Sequence, residues 1–393
     1  MDFEYIYPII VLFGSFAIML AVGVPITFAI GLSSLFSILI ALPPDAAISV
    51  ISQKMTVGLD GFTLLANTLF GAISGSAVAS AAAVGGIMSP LQEKEGYSPA
   101  FSTAINVASA PIGLMIPPSN VLIVYSLASG GTSVAALFLA GYLPGILTAL
   151  ALMTVAALYA HRHHYPVAER INLRQFLSVF RDSLPSLLLI FIIIGGIIGG
   201  VFTPTEASAI AVIYSLALAA IYREINVSKL RDILLDSVVT SSIVLLLVGC
   251  SMGMSWAMTN ADVPELINEM ITSVSENKWV ILLIINLILL LVGTFMDITP
   301  AILIFTPIFL PIAQHLGIDP VHFGIIMVFN LTIGLCTPPV GTILFVGCSI
   351  GKISIDKVVK PLLPMFLALF MVMAMICYFP QLSLLLPTLF APS

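Results

Sequence analysis

IMSPLQEKEGYSPAFSTAINVASAPIGLMIPP, residues 87–118, and IFLPIAQHLGIDPVHFGIIMVFNLTIGLCTPP, residues 308–339, decide how this chain is read. They align without a gap at an offset of 221. Ile87, Pro90, Gly96, Pro99, Val107, Ile112, Gly113, Leu114, Pro117 and Pro118 recur as Ile308, Pro311, Gly317, Pro320, Val328, Ile333, Gly334, Leu335, Pro338 and Pro339. Each copy closes on Gly-Leu-x-x-Pro-Pro inside an apolar run. Proline lacks an N–H and interrupts a helix; glycine lets the backbone turn with positive φ. Paired, broken apolar segments in two halves of a membrane protein point to a transporter's binding site.

The remaining composition places that repeat in lipid. Of 393 residues, 60% are hydrophobic and only 8% are charged, against about 25% charged in soluble domains. A span needs about 20 apolar residues, and roughly ten to twelve candidates recur along the chain. They include 5–22, 24–42, 46–70, 101–128, 133–160, 184–202, 207–222, 237–259, 279–296, 322–350 and 361–388. Alternation of period two is absent, which argues against a β-barrel. The expected fold is an all-α polytopic membrane protein of two repeated, inverted halves with paired re-entrant hairpins.

Basic residues orient it. Arg162, Arg170, Arg174 and Arg181 crowd one loop, Arg223, Lys229 and Arg231 a second, and Lys352, Lys357 and Lys360 a third. The positive-inside rule puts these in the cytoplasm. Residues 262–278, with Asp262, Glu265, Glu269 and Glu276, form the natural outside segment. No basic leader precedes the first apolar stretch, so no cleavable signal is expected. The net charge of −6 is spread over loops and gives nucleic-acid binding no support. Cys250, Cys336, Cys348 and Cys377 form no CxxC pair and read as inert membrane thiols. His161, His163 and His164 read as an interfacial cluster, with a metal site as the alternative.

The halves are 1–160 and 184–393, joined by the basic linker 161–183. Hairpins are expected at 69–90 and 293–314, and breaks at 113–120 and 334–342. The halves differ in length. From Pro204 to Gly334 is 334 − 204 = 130 residues, but from Pro25 to Gly113 it is 113 − 25 = 88. The first half is thus 42 residues short, with the gap expected around Ala66–Asn67.

A broken helix in hydrocarbon is tolerated only where protein or a water-filled cavity surrounds it. It exposes carbonyls suited to Na⁺ and a helix N-terminus suited to an anion. The candidates at the breaks are Gly113, Pro117, Pro118 and Asn120, and Gly334, Thr337, Pro338, Pro339 and Gly341. Ser119 and Thr342 offer further oxygens. Upstream lies a small-residue stretch with Ser74, Gly75 and Ser76; its counterpart holds Asp297 and Thr299, with Asp297 opposite Ser76. A carboxylate at depth costs on the order of 2–3 kcal/mol, so Asp297 is either an ion ligand or an interfacial helix cap. Glu206 after Pro204 reads as a helix-start acid. His315 and His322 are expected at the surface. No nucleophile–base pair, phosphate loop or metal-spaced cluster supports an enzyme.

The stretches 69–79, 116–119, 202–207 and 334–341 together resemble the large membrane subunit of a tripartite ATP-independent periplasmic (TRAP) transporter, and the likeness runs over nearly the whole chain. That resemblance implies Na⁺-driven import of organic acids such as dicarboxylates, sialic acids or sugar acids. A small four-helix membrane subunit and a periplasmic solute-binding protein are the implied partners, and the bacterial inner membrane the implied location. It also implies an elevator, in which a transport domain bearing the two hairpins slides on a fixed scaffold. The family's ion-binding motifs carry over onto Ser74, Gly75 and Ser76 and onto Gly334, Thr337 and Pro338. Asp297 and the Pro117–Asn120 break are weaker correspondences. In the family, the Leu-Leu-Ala of residues 64–66 leads into a further apolar stretch and an amphipathic segment before the hairpin; here Asn67 follows at once. Two other readings stay open: a stand-alone ion-coupled carboxylate carrier, and a shortened, transport-inactive remnant.

Overall fold

Long apolar runs started by Ser, Thr, Asp or Asn and stopped by Pro or Gly fold as helices, because hydrocarbon leaves the backbone no partner but itself. A computed structural model describes residues 59–94, 96–163, 184–185, 188–189, 191–260 and 277–390. The expected spans 5–22 and 24–42 lie outside the described residues, as do most of the linker 161–183 and of the acidic stretch 262–278.

Helices α1 (Leu59–Ser74) and α2 (Ala77–Lys94) form a hairpin. Next come α3 (Pro99–Ser109), the single turn α4 (Ile112–Met115), α5 (Asn120–Ala128) and the long α6 (Val134–Arg162). Ser98 starts α3 by accepting from the Phe101 N–H, and Ser133 starts α6 by accepting from the Ala136 N–H. After a helical stretch at 191–198 come α7 (Pro204–Ile221) and α8 (Val227–Asn260). Glu206 and Thr203 close a reciprocal capping box at the start of α7, which accounts for that acid.

A second hairpin pairs α9 (Lys278–Phe295) with α10 (Ile298–His315). It is followed by α11 (Pro320–Cys336), α12 (Thr342–Ile350), α13 (Ile355–Tyr378) and α14 (Gln381–Phe390). The offset of 221 links α2 to α10 at both ends, and takes the starts of α3 and α6 to those of α11 and α13. Both hairpins begin earlier than residues 69 and 293, and their turns fall at 75–76 and 296–297.

Among the described residues six helices are long and apolar enough to cross a membrane, or seven if the α3–α4 segment and α5, bent by 52°, count as one. The stretches 322–350 and 361–388 each divide between two helices. Packing separates two environments. α11 is buried along almost its whole length, with Phe323, Ile325, Phe329 and Leu331 inaccessible. On α7 and α8, by contrast, Val212, Ile213, Val238, Leu245 and Leu246 are bare. Apolar side chains exposed over whole helices need lipid or protein as solvent.

The halves interlock. α5 packs on α10 and α12 on α2, so each half's second hairpin arm meets the helix after the other half's break. The Tyr125 hydroxyl donates to the Pro320 carbonyl at 2.7 Å, and a Cβ on Gly324 would strike the Tyr125 ring. The Cys336 thiol donates to the Val107 carbonyl at 3.2 Å.

Candidate functional site

The first hairpin turns at Gly75, whose φ of +64° suits a residue without a Cβ. A Cβ there would also collide with the carboxamide of Asn120, so this contact holds the hairpin tip against the start of α5. Ser74, Gly75 and Ser76 are half-buried. The Ser76 N–H donates to Ser74 Oγ at 3.3 Å, and Ser76 Oγ accepts from the Ala79 N–H at 3.2 Å, capping α2.

Below the tip, Gly71 meets Gly113: a Cβ on Gly113 would lie 2.5 Å from the Gly71 Cα. Pro117 is buried and Pro118 half-buried; the bond between them is cis. Ser119 donates to the Leu114 carbonyl at 2.5 Å across the break. The break is also held by α6, where Gly141 lets the Met115 carbonyl approach and a Cβ on Gly145 would sit 2.5 Å from Ile116 Cγ1.

The second half repeats this arrangement with different side chains. Its hairpin turns at Met296 and Asp297. Asp297 stands at the start of α10 but makes no side-chain capping bond and is exposed; Thr299 is half-buried. The cap reading of Asp297 therefore lacks its hydrogen bond.

A Cβ on Gly334 would lie 2.7 Å from the Gly293 Cα, so break and hairpin arm again meet glycine to glycine. Thr337 donates to the Ile333 carbonyl at 2.8 Å; Pro338–Pro339 is cis, with Pro338 half-buried and Pro339 exposed. Gly341, at φ +44°, donates its N–H to the Thr294 carbonyl at 3.1 Å and ties the break to α9. Thr342 Oγ1 is buried and has no hydrogen-bond partner among the described residues.

Each hairpin tip thus meets its own half's break, and α4 packs on α11 so that the two broken segments adjoin. A helix C-terminus presents free carbonyls, and a helix N-terminus presents free N–H groups. At both breaks the two kinds of end face one another, which suits a cation beside an anion.

Other polar residues here escaped the sequence reading. Asn67 is inaccessible; its Nδ2 donates to the Asn106 carbonyl at 3.3 Å, Asn106 Oδ1 at 2.9 Å and Ser109 Oγ at 2.7 Å. Ser80 donates to Asn67 Oδ1 at 2.8 Å, and Asn106 to the Ala81 carbonyl at 2.8 Å. In the second half Asn330 donates to Asn286 Oδ1 at 2.7 Å. These partners lie far apart in sequence, so no local spacing announces them.

His322 corrects the surface expectation. It is 3% exposed, in the first turn of α11, beside Trp279 and Leu282 of α9, Cys377 of α13 and Leu384 of α14; His315 is exposed.

A family model described as the DctM component of the tripartite ATP-independent periplasmic transporter matches residues 63–382. The uncharacterized protein YgiK of Salmonella typhimurium is 90% identical over 435 aligned positions, covering all of both chains. The large permease protein DctM of a Pseudomonas aeruginosa C4-dicarboxylate TRAP transporter is 40% identical over 331 residues, 84% of this chain and 77% of that protein. SiaM, the large permease of a Vibrio cholerae sialic acid TRAP transporter, is 36% identical over 337 residues, 86% and 79% of the two chains. With its apolar helices, this makes the chain a multi-pass protein of the bacterial inner membrane. The chain belongs to the DctM family of TRAP transporter large permease components.

Proposed function

We propose that this chain is the membrane permease of a Na⁺-coupled importer of small organic acids. The observation that carries the reading is the duplicated contact between hairpin tip and broken helix. Gly75 meets Asn120 in one half, and Gly341 hydrogen-bonds Thr294 in the other. Oxygens of Ser74, Ser76, Asn120, Asp297, Thr299, Thr337 and Thr342, with break carbonyls, supply hard ligands for Na⁺. The helix starts at Asn120 and Thr342 face the substrate carboxylate. Each charge moved inward gains about 2.3 kcal/mol per 100 mV.

The halves are inverted repeats in this reading. Tyr159 stacks on Phe101 at 4.4 Å and on His163 at 4.1 Å, bringing the Arg162 end of α6 to the base of the first hairpin. Trp279 packs tilted against Tyr378 with ring centroids 4.8 Å apart, bringing the far end of α13 to the base of the second. Lys352, Lys357 and Lys360 lie at the opposite end of α13. Basic ends on one membrane face then require the hairpins to enter from opposite faces. The hairpins and breaks form the sliding domain of an elevator. Bare α7 and α8 belong to the scaffold. A small membrane subunit and a periplasmic binding protein complete the importer, and substrates of the C4-dicarboxylate and sialic acid class are those named for the relatives.

Uptake in proteoliposomes containing the chain, its small subunit and its binding protein tests this. Uptake that needs Na⁺ and fails in Thr337→Ala and Ser76→Ala supports it; uptake indifferent to Na⁺ refutes the coupling. One observation favours a second reading, a shortened member without transport. The alignment with the Salmonella protein has 435 positions against 393 residues here, leaving 435 − 393 = 42 without a counterpart. Inserted, folded protein with no uptake under any gradient selects that reading.

A further inference from the structure

The 42 unmatched positions equal the shortfall between the two halves. The offset of 221 holds at the end of α1, at both ends of α2 and at the starts of α3 and α6, so the missing stretch precedes the first hairpin tip. The family match begins at residue 63. The hairpin's first arm nonetheless has 16 described residues in this chain, against 18 in the first arm of the second hairpin.

α1 runs from Leu59 to Ser74 without interruption through Ala66–Asn67. Thr63, Leu64, Asn67, Thr68 and Gly71 are buried. Their spacing, i, i+1, i+4, i+5 and i+8, is one helical stripe that passes the junction in phase. Residues before the junction pack as tightly as those after it: Leu64 is 1% exposed, and Thr63 Oγ1 accepts from Gln92 Nε2 of α2 at 3.2 Å. The composition changes there as well. Asp60 and Gly61 stand in arm one where Ile281 and Leu282 stand in arm two.

We propose that residues 59–66 are a substitute arm. They belong upstream of a lost segment, have been joined directly to Asn67, and fold against α2 in place of the arm's original outer half. This rests on the family reading and not on Na⁺ coupling. The hairpin is rebuilt because the incoming residues carry small polar and apolar groups at the phase the stripe requires. A junction shifted by two residues would turn Thr63 and Leu64 by about 200° around the helix, away from α2.

A crosslink tests it without reference to transport. Thr63→Cys and Gln92→Cys are introduced with the four native cysteines replaced, into this chain and into one lengthened at Ala66–Asn67 by the corresponding Salmonella segment. A short bismaleimide is applied in membranes, and the protein is cut with cyanogen bromide. Cleavage after Met55, Met88 and Met115 puts residues 63 and 92 on separate fragments unless they are bridged. Val107→Cys with native Cys336 retained is the control pair that reports a folded core in each chain.

A substitute arm predicts bridging of 63 to 92 in this chain. In the lengthened chain it predicts a fall to the level of the Thr63→Cys single variant. Bridging in both chains, or in neither, overturns the proposal. Uptake assays on the same proteins can fail without changing this readout.

Discussion

Gly334→Ala isolates the glycine contact that seats the second break on its hairpin. The added Cβ would lie 2.7 Å from both the Cα and the carbonyl carbon of Gly293, and 2.9 Å from the Leu290 carbonyl oxygen. All three are backbone atoms, so no side chain can rotate aside. Overpacking of this kind costs about 1–3 kcal/mol. Against it stands the gain of about 0.5–1 kcal/mol for Ala over Gly inside a helix. The balance is a loss of up to about 2.5 kcal/mol, with α11 pushed off α9. Gly86→Ala is the internal control: it lies inside α2 with nothing within 4 Å of its Cβ, so only the favourable term remains. Equilibrium unfolding by SDS in mixed micelles reads both variants. Gly334→Ala at or above wild-type stability would show that the break does not depend on this approach. The same result for Gly113→Ala, with its Cβ 2.5 Å from the Gly71 Cα, would extend that refutation to the first half.

Asn67→Leu should cost about 1–3 kcal/mol in the same assay, because it strands the Asn106 Oδ1 and Ser109 Oγ acceptors that Nδ2 now serves, while Ser80 keeps its bond to the residue 67 carbonyl. Tyr125→Phe keeps the ring against Gly324 and loses only the 2.7 Å bond to the Pro320 carbonyl, a loss of about 0.5–1.5 kcal/mol. Thr342→Val removes a hydroxyl that has no hydrogen-bond partner among the described residues, so stability should hold while the Na⁺ concentration for half-maximal uptake rises; unchanged Na⁺ dependence removes Thr342 from the ion site. Thr203→Ala breaks the capping box and should cost about 1 kcal/mol, seen as faster amide exchange in the first turn of α7 and unchanged exchange at the breaks.

Much of this protein is written locally in its residues. Low charge and long apolar runs require lipid and helices, since hydrocarbon offers the backbone no other partner. The repeated Pro-Pro places the breaks, because two adjacent prolines remove two successive N–H donors, whereas the single prolines Pro90, Pro144, Pro307 and Pro311 stay inside α2, α6 and α10. The helices of the stretches 101–128 and 322–350 start two residues earlier, at Pro99 and Pro320, where Ser98 and Asp319 cap them. A length difference between the halves could be read from landmarks alone. Side-chain surroundings could not. His322 stands in the turn that opens α11, yet residues of α9, α13 and α14 surround it. The Asn67–Asn106–Ser109 cluster joins positions 39 and 42 residues apart, which no helical or strand period connects. Tertiary structure alone brought Gly71 to Gly113 and Gly293 to Gly334, and Gly75 to Asn120. Helix packing selects those contacts through the absence of a Cβ, and a glycine in a sequence looks the same whether or not another backbone rests on it.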